Sequence, residues 1–492
     1  MEMFWKTAWN MMSFLFQHLL IINCILSIVI IFFQRKNPTS VWTWLLLLYF
    51  IPVAGFIFYL LIGGDMHKSK MFRTKEVEDH IHEAICRQEA SIQTKMLQEE
   101  SPHLKKYSDL IYYNLQSAGV MLTDNNRIRA YTDGREKFAA LLEDLKQARE
   151  FIHIQYYIIK DDVLFQRIKE VLMQKAREGV EVRILCDGMG GRTVSPKCWQ
   201  ELHSCGIHTA IFFPALLRRL HLRINYRNHR KIVVIDGAVG YVGGFNIGKE
   251  YIGLDDRFGY WRDTHLRIEG AAAAGLALRF ILDWNYAARE NLFDGDGAGK
   301  YLREPEETVG SSQVQIISSG PDSKLQNIRN NYLRLISKAE KSIYIQTPYF
   351  IPDDAVFHAL IMAAYSGVEV NIMIPCKPDH PFVYWATYSY IGDMVMAGAN
   401  CYTYNNGFLH AKGLIVDDQV YCYGTANMDI RSFRLNFEVN AVVYDEKEAE
   451  KMVDSFHNDM QVCTKITRDL YVSRRLDIRF REQVCRLLSP LL

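Results

Sequence analysis

The chain has 492 residues, 49% of them hydrophobic and 23% charged. That excludes a disordered chain and, at ~100–200 residues per domain, allows roughly two to four domains. Lysine plus arginine (57) nearly equals aspartate plus glutamate (56), so the net charge of +1 argues against a dedicated nucleic-acid binder. The 10 cysteines form no C-x-x-C and no Cys/His cluster at metal-ligand spacing, which excludes a zinc ribbon and points to reduced thiols in a cytoplasmic compartment.

Residues 11–33 are almost wholly apolar, interrupted by Gln17, His18, Asn23 and Ser27; residues 41–62 are apolar throughout and carry Pro52 and Gly55. Each run is long enough for a hydrocarbon core of ~30 Å at ~1.5 Å per residue. Residues 1–64 are therefore expected to form a transmembrane hairpin of two helices, spanning about residues 11–33 and 41–62. A cleaved signal peptide is disfavoured because no A-x-A site follows the first run. The connecting loop carries Arg35 and Lys36, whereas Lys6, Lys68, Lys70, Arg73 and Lys75 lie on the other side. This asymmetry predicts a multi-pass protein of the cell membrane with both termini, and everything after the hairpin, on the cytoplasmic side. Residues 65–120 are polar, charged and helical in character, and are expected to form a membrane-proximal linker.

Two similar halves follow, at residues 121–305 and 306–492. Residues 148–157 (AREFIHIQYY) match 339–349 (AEKSIYIQTPY), each reading as the end of an amphipathic helix and a buried strand. Residues 179–185 (GVEVRIL) match 367–373 (GVEVNIM), again a helix end followed by a β-branched strand. Alternating strands and helices predict an α/β fold, duplicated and packed about a pseudo-twofold axis.

The halves share the pattern H-x-K-x4-D-x6-G-[GT]-x-N: His229, Lys231, Asp236 and Asn246 in the first, His410, Lys412, Asp417 and Asn427 in the second. Residues i and i+2 of an extended segment point to one side, so each histidine projects with its lysine. If the halves meet at the pseudo-twofold, two imidazoles converge with Lys231, Lys412, Asn246 and Asn427, donors suited to the phosphate of a phosphodiester. No acidic cluster for a divalent metal is visible, so one histidine is expected to be the nucleophile and the other the general acid and base, with no metal and no cofactor. Spacing does not decide which is which. Asp236 and Asp417 complete the catalytic pattern, although each ends a strand before a turn, which favours a structural role.

The paired pattern resembles the two HKD motifs of the phospholipase D superfamily. Residues 226–231 (YRNHRK), 241–246 (YVGGFN), 261–265 (WRDTH), 346–350 (QTPYF) and 435–440 (LNFEVN) are similar to those of the bacterial cardiolipin synthases, as are the apolar N-terminus and the ending SPLL. The resemblance implies two phospholipase D-like α/β halves and a phosphatidyltransferase that joins two phosphatidylglycerols into cardiolipin and glycerol. It implies His229 as the nucleophile, a phosphatidyl-histidine intermediate, and His410 as acid and then base. It also implies an orienting carboxylate for each histidine: Asp263, downstream of His229, and Glu438, downstream of His410.

Residues 216–230 interleave Arg218, Arg219, Arg223, Arg227 and Arg230 with apolar residues, either a solvated basic face or a site for anionic membrane lipid. Residues 474–486 are basic and amphipathic, in keeping with a surface helix. A membrane-bound phospholipase D-type hydrolase or another phosphatidyltransferase would use the same motifs, as would a nuclease, which the near-neutral charge disfavours. The oligomeric state is open at this level.

Overall fold

The computed structural model describes residues 14, 18–28, 30–31, 38–62, 102–214, 226–294, 297–303, 307–323, 325–377 and 379–489. The chain divides into two units, Met1–Ser69 with Ala215–Tyr226, and Lys70–Pro214 with Arg227–Leu492.

In the first unit, residues 18–28 are helical, followed by α1 (Pro38–Phe50) and α2 (Pro52–Ile62). Pro52 has no N–H, so the carbonyl of Leu48, four residues back, loses its helical donor. The Asn23 amide replaces it, donating to Leu48 O at 3.0 Å and to Pro52 O at 3.1 Å. Ile30, Leu48 and Tyr59 are buried together beside this bond. The expected second span is therefore two helices of 13 and 11 residues, about 20 and 17 Å long at ~1.5 Å per residue. Among the described residues, no helix is long and apolar enough to cross a membrane. Arg35, Lys36 and residues 65–101 of the expected linker lie outside the described residues.

The second unit opens with α3 (Pro102–Ala118). Its first half runs β1 (Thr123–Asp133), α4 (Gly134–Gln147), β2 (Phe151–Tyr156), α5 (Val163–Arg177), β3 (Glu181–Asp187), α6 (Pro196–Ser204), β4 (His208–Phe212), β5 (Arg227–Asn228), β6 (Ile232–Ile235), β7 (Val239–Gly243), β8 (Trp261–Gly270), α7 (Ala272–Ala288) and α8 (Gly297–Tyr301). The second half runs β9 (Ser312–Ser319), α9 (Asn327–Lys338), β10 (Ser342–Gln346), β11 (Phe350–Ile351), α10 (Asp354–Tyr365), β12 (Glu369–Pro375), α11 (Pro381–Met396), β13 (Asn400–Tyr404), β14 (Phe408–Leu409), β15 (Gly413–Val416), β16 (Val420–Gly424), β17 (Met428–Asp429), α12 (Ile430–Arg434), β18 (Asn436–Tyr444), α13 (Glu446–Met460), β19 (Cys463–Ile466), α14 (Arg468–Val472) and α15 (Leu476–Leu487).

One mixed sheet threads both halves in the order β4-β3-β2-β6-β7-β8-β1-β9-β18-β16-β15-β10-β12-β13-β19. The antiparallel β1–β9 pair is the seam. Outward from it the strand sequence is the same on both sides, β8, β7, β6, β2, β3, β4 matching β18, β16, β15, β10, β12, β13, and β19 extends only the second side. The fold is thus mixed α/β with a duplicated half, as the repeated segments predict. Helices start on side-chain caps, Asp133, Asp162, Ser195, Asp353 and Asp445 each accepting a backbone N–H of the first turn. Each half keeps its own core. Phe138, Leu141, Ile154, Ile168 and Val233 belong to the first, and Leu335, Ile345, Leu360, Ile372 and Leu414 to the second. Tyr107, Leu110, Ile111 and Leu115 of α3 are buried in the second core, so the end of the stretch read as a linker is part of that half.

Candidate active site

Two short crossing strands build the site. β5, just before His229, pairs in parallel with Asn436–Phe437 of β18, and the His229 N–H donates to Phe437 O at 3.0 Å. β14, just before His410, pairs in parallel with Trp261–Arg262 of β8, and the His410 N–H donates to Arg262 O at 2.7 Å. Each histidine is therefore held by a strand of the opposite half, one residue from that strand's acid. Nδ1 of His229 lies 3.0 Å from both carboxylate oxygens of Glu438, and Nδ1 of His410 lies 2.6 Å from Asp263. Each acid bonds the histidine of the other half: the expected assignment within each half is corrected, because the parallel crossing pairs, and not distance along the chain, set the neighbours.

A carboxylate only accepts, so it fixes the proton on Nδ1 of each ring and leaves Nε2 with its lone pair. Lys412 Nζ lies 2.6 Å from His410 Nδ1 and 3.8 Å from Asp263. One ring nitrogen cannot both donate to Asp263 and accept from Lys412. The ammonium bonds instead to the His410 carbonyl, as Lys231 Nζ bonds to the His229 carbonyl at 2.6 Å. Asp263, Glu438 and Lys412 are sealed from solvent, while the side chains of His229 and His410 remain 13% and 11% exposed. Of these groups, the imidazoles are the ones with surface open to solvent.

Burial dominates the electrostatics. It pulls Lys231 down to about 7 and Lys412 to about 8, against the attraction of Glu438 and Asp263. Burial, reinforced by Lys412, takes His410 to about 4; burial also lowers His229, against the pull of Glu438. Burial would raise the two carboxylates, but Lys412 with His410, and His229 with Lys231, outweigh it and hold both below their ordinary values. At neutral pH the site thus holds two neutral imidazoles on two ionised carboxylates, with Lys412 mostly charged and Lys231 about half charged.

Asp236 and Asp417 do not join this cluster. Both sit at positive φ (53° and 55°) at the far end of the strand that follows each histidine. Asp236 accepts the N–H groups of Arg149, Glu150 and Phe151 at 2.7–2.8 Å. Asp417 accepts those of Glu340, Lys341 and Ser342, and pairs with Lys106 of α3 at 2.7 Å. Their place in the catalytic pattern is corrected to a structural one: they pin the starts of β2 and β10. Asn246 accepts the Ile158 N–H at 3.1 Å and donates to the Tyr251 hydroxyl at 3.0 Å; Asn427 donates to Asp429 at 3.1 Å. Each amide keeps one hydrogen with no bond recorded among the described residues.

Other supports stand around these residues. Thr425 donates its hydroxyl to Glu438 at 2.6 Å, and Asn436 adds a bond at 3.1 Å. At the matching position the first half has Gly244, where a Cβ would stand 1.9 Å from Asp263 Oδ1. Arg230 is buried and clamps Asp283 with bonds of 2.5 and 2.7 Å, and Gln155 and Asn228 bond the same carboxylate. Arg262 of the first half and Gln346 of the second converge on Asp459 at 3.0 and 2.7 Å. Gln155 and Gln346 occupy equal places in the repeated strand, a signal that could have flagged them. The Tyr157 ring packs at 5.1 Å on His229, and the Trp261 ring at 5.1 Å on His410. Of the 216–230 segment, Arg218, Arg219 and Arg223 lie outside the described residues, and Arg230 is buried structure rather than a lipid-facing group. Among the described residues no group of three or more His, Cys, Asp or Glu could hold a metal ion.

The family model described as "Cardiolipin synthase, PLD-like domain" matches residues 141–257 and 332–460, the two motif-bearing stretches. A second, "Phospholipase_D-nuclease N-terminal", matches residues 21–64. The major cardiolipin synthase ClsA of Bacillus subtilis is 48% identical over 488 residues, covering 98% of this chain and 99% of that protein. A cardiolipin synthase of Oceanobacillus iheyensis is 46% identical over 96% of this chain and 98% of its own length. Among solved structures, a phosphatidylserine synthase of Haemophilus influenzae superposes with a TM-score of 0.59 at 15% identity, covering 74% of this chain and 95% of that one, which shows a shared fold. With both motif-bearing halves matched and relatives this similar over nearly its whole length, the chain belongs to the cardiolipin synthase family of phospholipase D-like proteins.

Proposed function

We propose that the protein is a cardiolipin synthase that moves the phosphatidyl group of one phosphatidylglycerol onto the terminal hydroxyl of a second and releases glycerol. The observation that carries this reading is the crosswise pair of His–carboxylate contacts beside two buried lysines. In the first step Nε2 of His229 attacks phosphorus; the P–N bond forms, the P–O bond to glycerol breaks, and His410 gives that oxygen a proton. The phosphodiester anion, together with ionised Asp263, raises His410 from its resting value so that it carries this proton. In the second step Nε2 of His410 takes the proton of the second lipid's hydroxyl, whose oxygen attacks phosphorus as the P–N bond breaks. Lys231 and Lys412, with the free amide hydrogens of Asn246 and Asn427, neutralise the equatorial oxygens of the five-coordinate transition state.

The protein acts at a membrane, as its family does, and we place the catalytic halves at the cytoplasmic face. The excess of basic residues flanking the apolar N-terminal runs over those between them supports this orientation. The test is purified protein with phosphatidylglycerol in mixed micelles, with products resolved by mass spectrometry. Cardiolipin and glycerol in equal amounts are expected, together with a phosphatidyl adduct on His229 in a His410→Asn variant. Phosphatidic acid as the sole product would make the enzyme a hydrolase, and an adduct confined to His410 would exchange the histidines.

A further inference from the structure

α15 turns its polar side toward the protein and its apolar side outward. Glu482 is 1% exposed and pairs with Arg474 at 2.6 Å; Arg486 pairs with Asp393 of α11 at 2.6 Å and lies 4.3 Å over the Tyr390 ring. Outward stand Leu476, Phe480 and Leu487, 80%, 71% and 81% exposed, with Val484 between them. These four recur at i, i+4, i+8 and i+11, one face of a helix, which in a water-facing helix would be turned into the core. Exposed Arg475, Arg479 and Arg481 flank the stripe. Residues 474–487 hold five arginines against Asp477 and Glu482. Leu470 and Val472 of α14 and Phe382 at the start of α11 are also exposed. Asp379, just before α11, bonds the Tyr349 hydroxyl and acts electrostatically on both His410 and Lys412. The start of α11 therefore lies within electrostatic reach of the second histidine.

We infer that α15, with Leu470, Val472 and Phe382, is an interfacial anchor that lies in the headgroup layer of an anionic bilayer and seats the active-site mouth on lipid. The choice of an anionic bilayer rests on the proposed function; the inverted helix face does not. A second copy of the chain is a poorer occupant, because two arginine-flanked faces would repel, whereas phosphate headgroups meet the arginines and acyl chains meet the stripe.

The full chain carrying benzoylphenylalanine at position 480 is irradiated in vesicles of phosphatidylglycerol and phosphatidylcholine. A phospholipid adduct is expected at 480, and none when the probe replaces exposed Lys451 on α13. A cross-link to a second chain, or no lipid adduct, overturns the anchor. A Leu476→Ser/Phe480→Ser/Leu487→Ser variant should raise the apparent KM for vesicle phosphatidylglycerol about tenfold and leave turnover of monomeric short-chain phosphatidylglycerol unchanged; an unchanged vesicle KM also overturns it. Lipid adducts without cardiolipin synthesis by the parent protein would sink the proposed function alone, and cardiolipin synthesis without adducts would sink the anchor alone.

Discussion

The crosswise pairing assigns each acid to a step that its place along the chain would not suggest. Asp263 follows His229 in sequence but holds His410, 2.6 Å from its Nδ1, and stands 3.8 Å from Lys412. Asp263→Asn keeps the shape and removes the charge, leaving Lys412 and the imidazolium of His410 without their buried counter-charge. Removing one partner of a buried pair costs about 3–5 kcal/mol. At about 1.36 kcal/mol per decade of rate, proton transfer through His410 should slow by roughly two to four orders of magnitude. The assay is a phosphatidyl ester of p-nitrophenol, whose leaving group needs no proton. Asp263→Asn should release one equivalent of p-nitrophenolate rapidly, then stall with the phosphatidyl group on His229. Glu438→Gln, which disarms His229 itself, should show no burst. The opposite pattern, a burst in Glu438→Gln and none in Asp263→Asn, would refute the assignment.

Gly244→Ala places a Cβ 1.9 Å from Asp263 Oδ1, so the carboxylate must leave His410; activity should fall at least about tenfold with a loss of about 1–3 kcal/mol in urea unfolding. Asp417→Ala should cost about 2–3 kcal/mol by unmaking backbone and Lys106 bonds, while turnover per folded molecule, measured below the unfolding transition, stays near the parent's. For pH dependence, Lys231 at about 7 and Lys412 at about 8 are depressed from 10.5. Between those values and 10.5 the unfolded chain binds more protons than the folded one, so their contribution to stability rises with pH through that window. The thermal midpoint of Lys231→Met should accordingly rise less between pH 7 and 9.5 than the parent's, and an equal or steeper rise would exclude a depressed Lys231.

The sequence discloses the site to the extent that its geometry is local or repeated. His229 with Lys231, and His410 with Lys412, are legible because an i, i+2 pair shares one side of an extended segment, and because the pattern recurs at the matching place in a duplicated half. The turn that follows Asp236 and Asp417 is also legible, and both lie there at positive φ. Partners chosen by contact across the seam are not legible. Nothing along the chain says that Asn436–Phe437 runs beside Arg227–Asn228, yet that pairing gives Glu438 to His229. Arg230 reads as part of a basic stretch, and only Asp283, brought up by α7, turns it into a buried clamp. The apolar N-terminus is legible as composition but not as helix length, because the break at Pro52 is mended by Asn23, a residue that reads as a mere interruption of its run. α15 shows the same limit from the other side: periodicity reveals which residues share a face, but which face turns inward was decided by Asp393 and Tyr390 of α11. An enzyme whose substrate is itself a surface has reason to leave such a face outward. The leucines that would have completed a core are then the groups that bring the two histidines to the lipid.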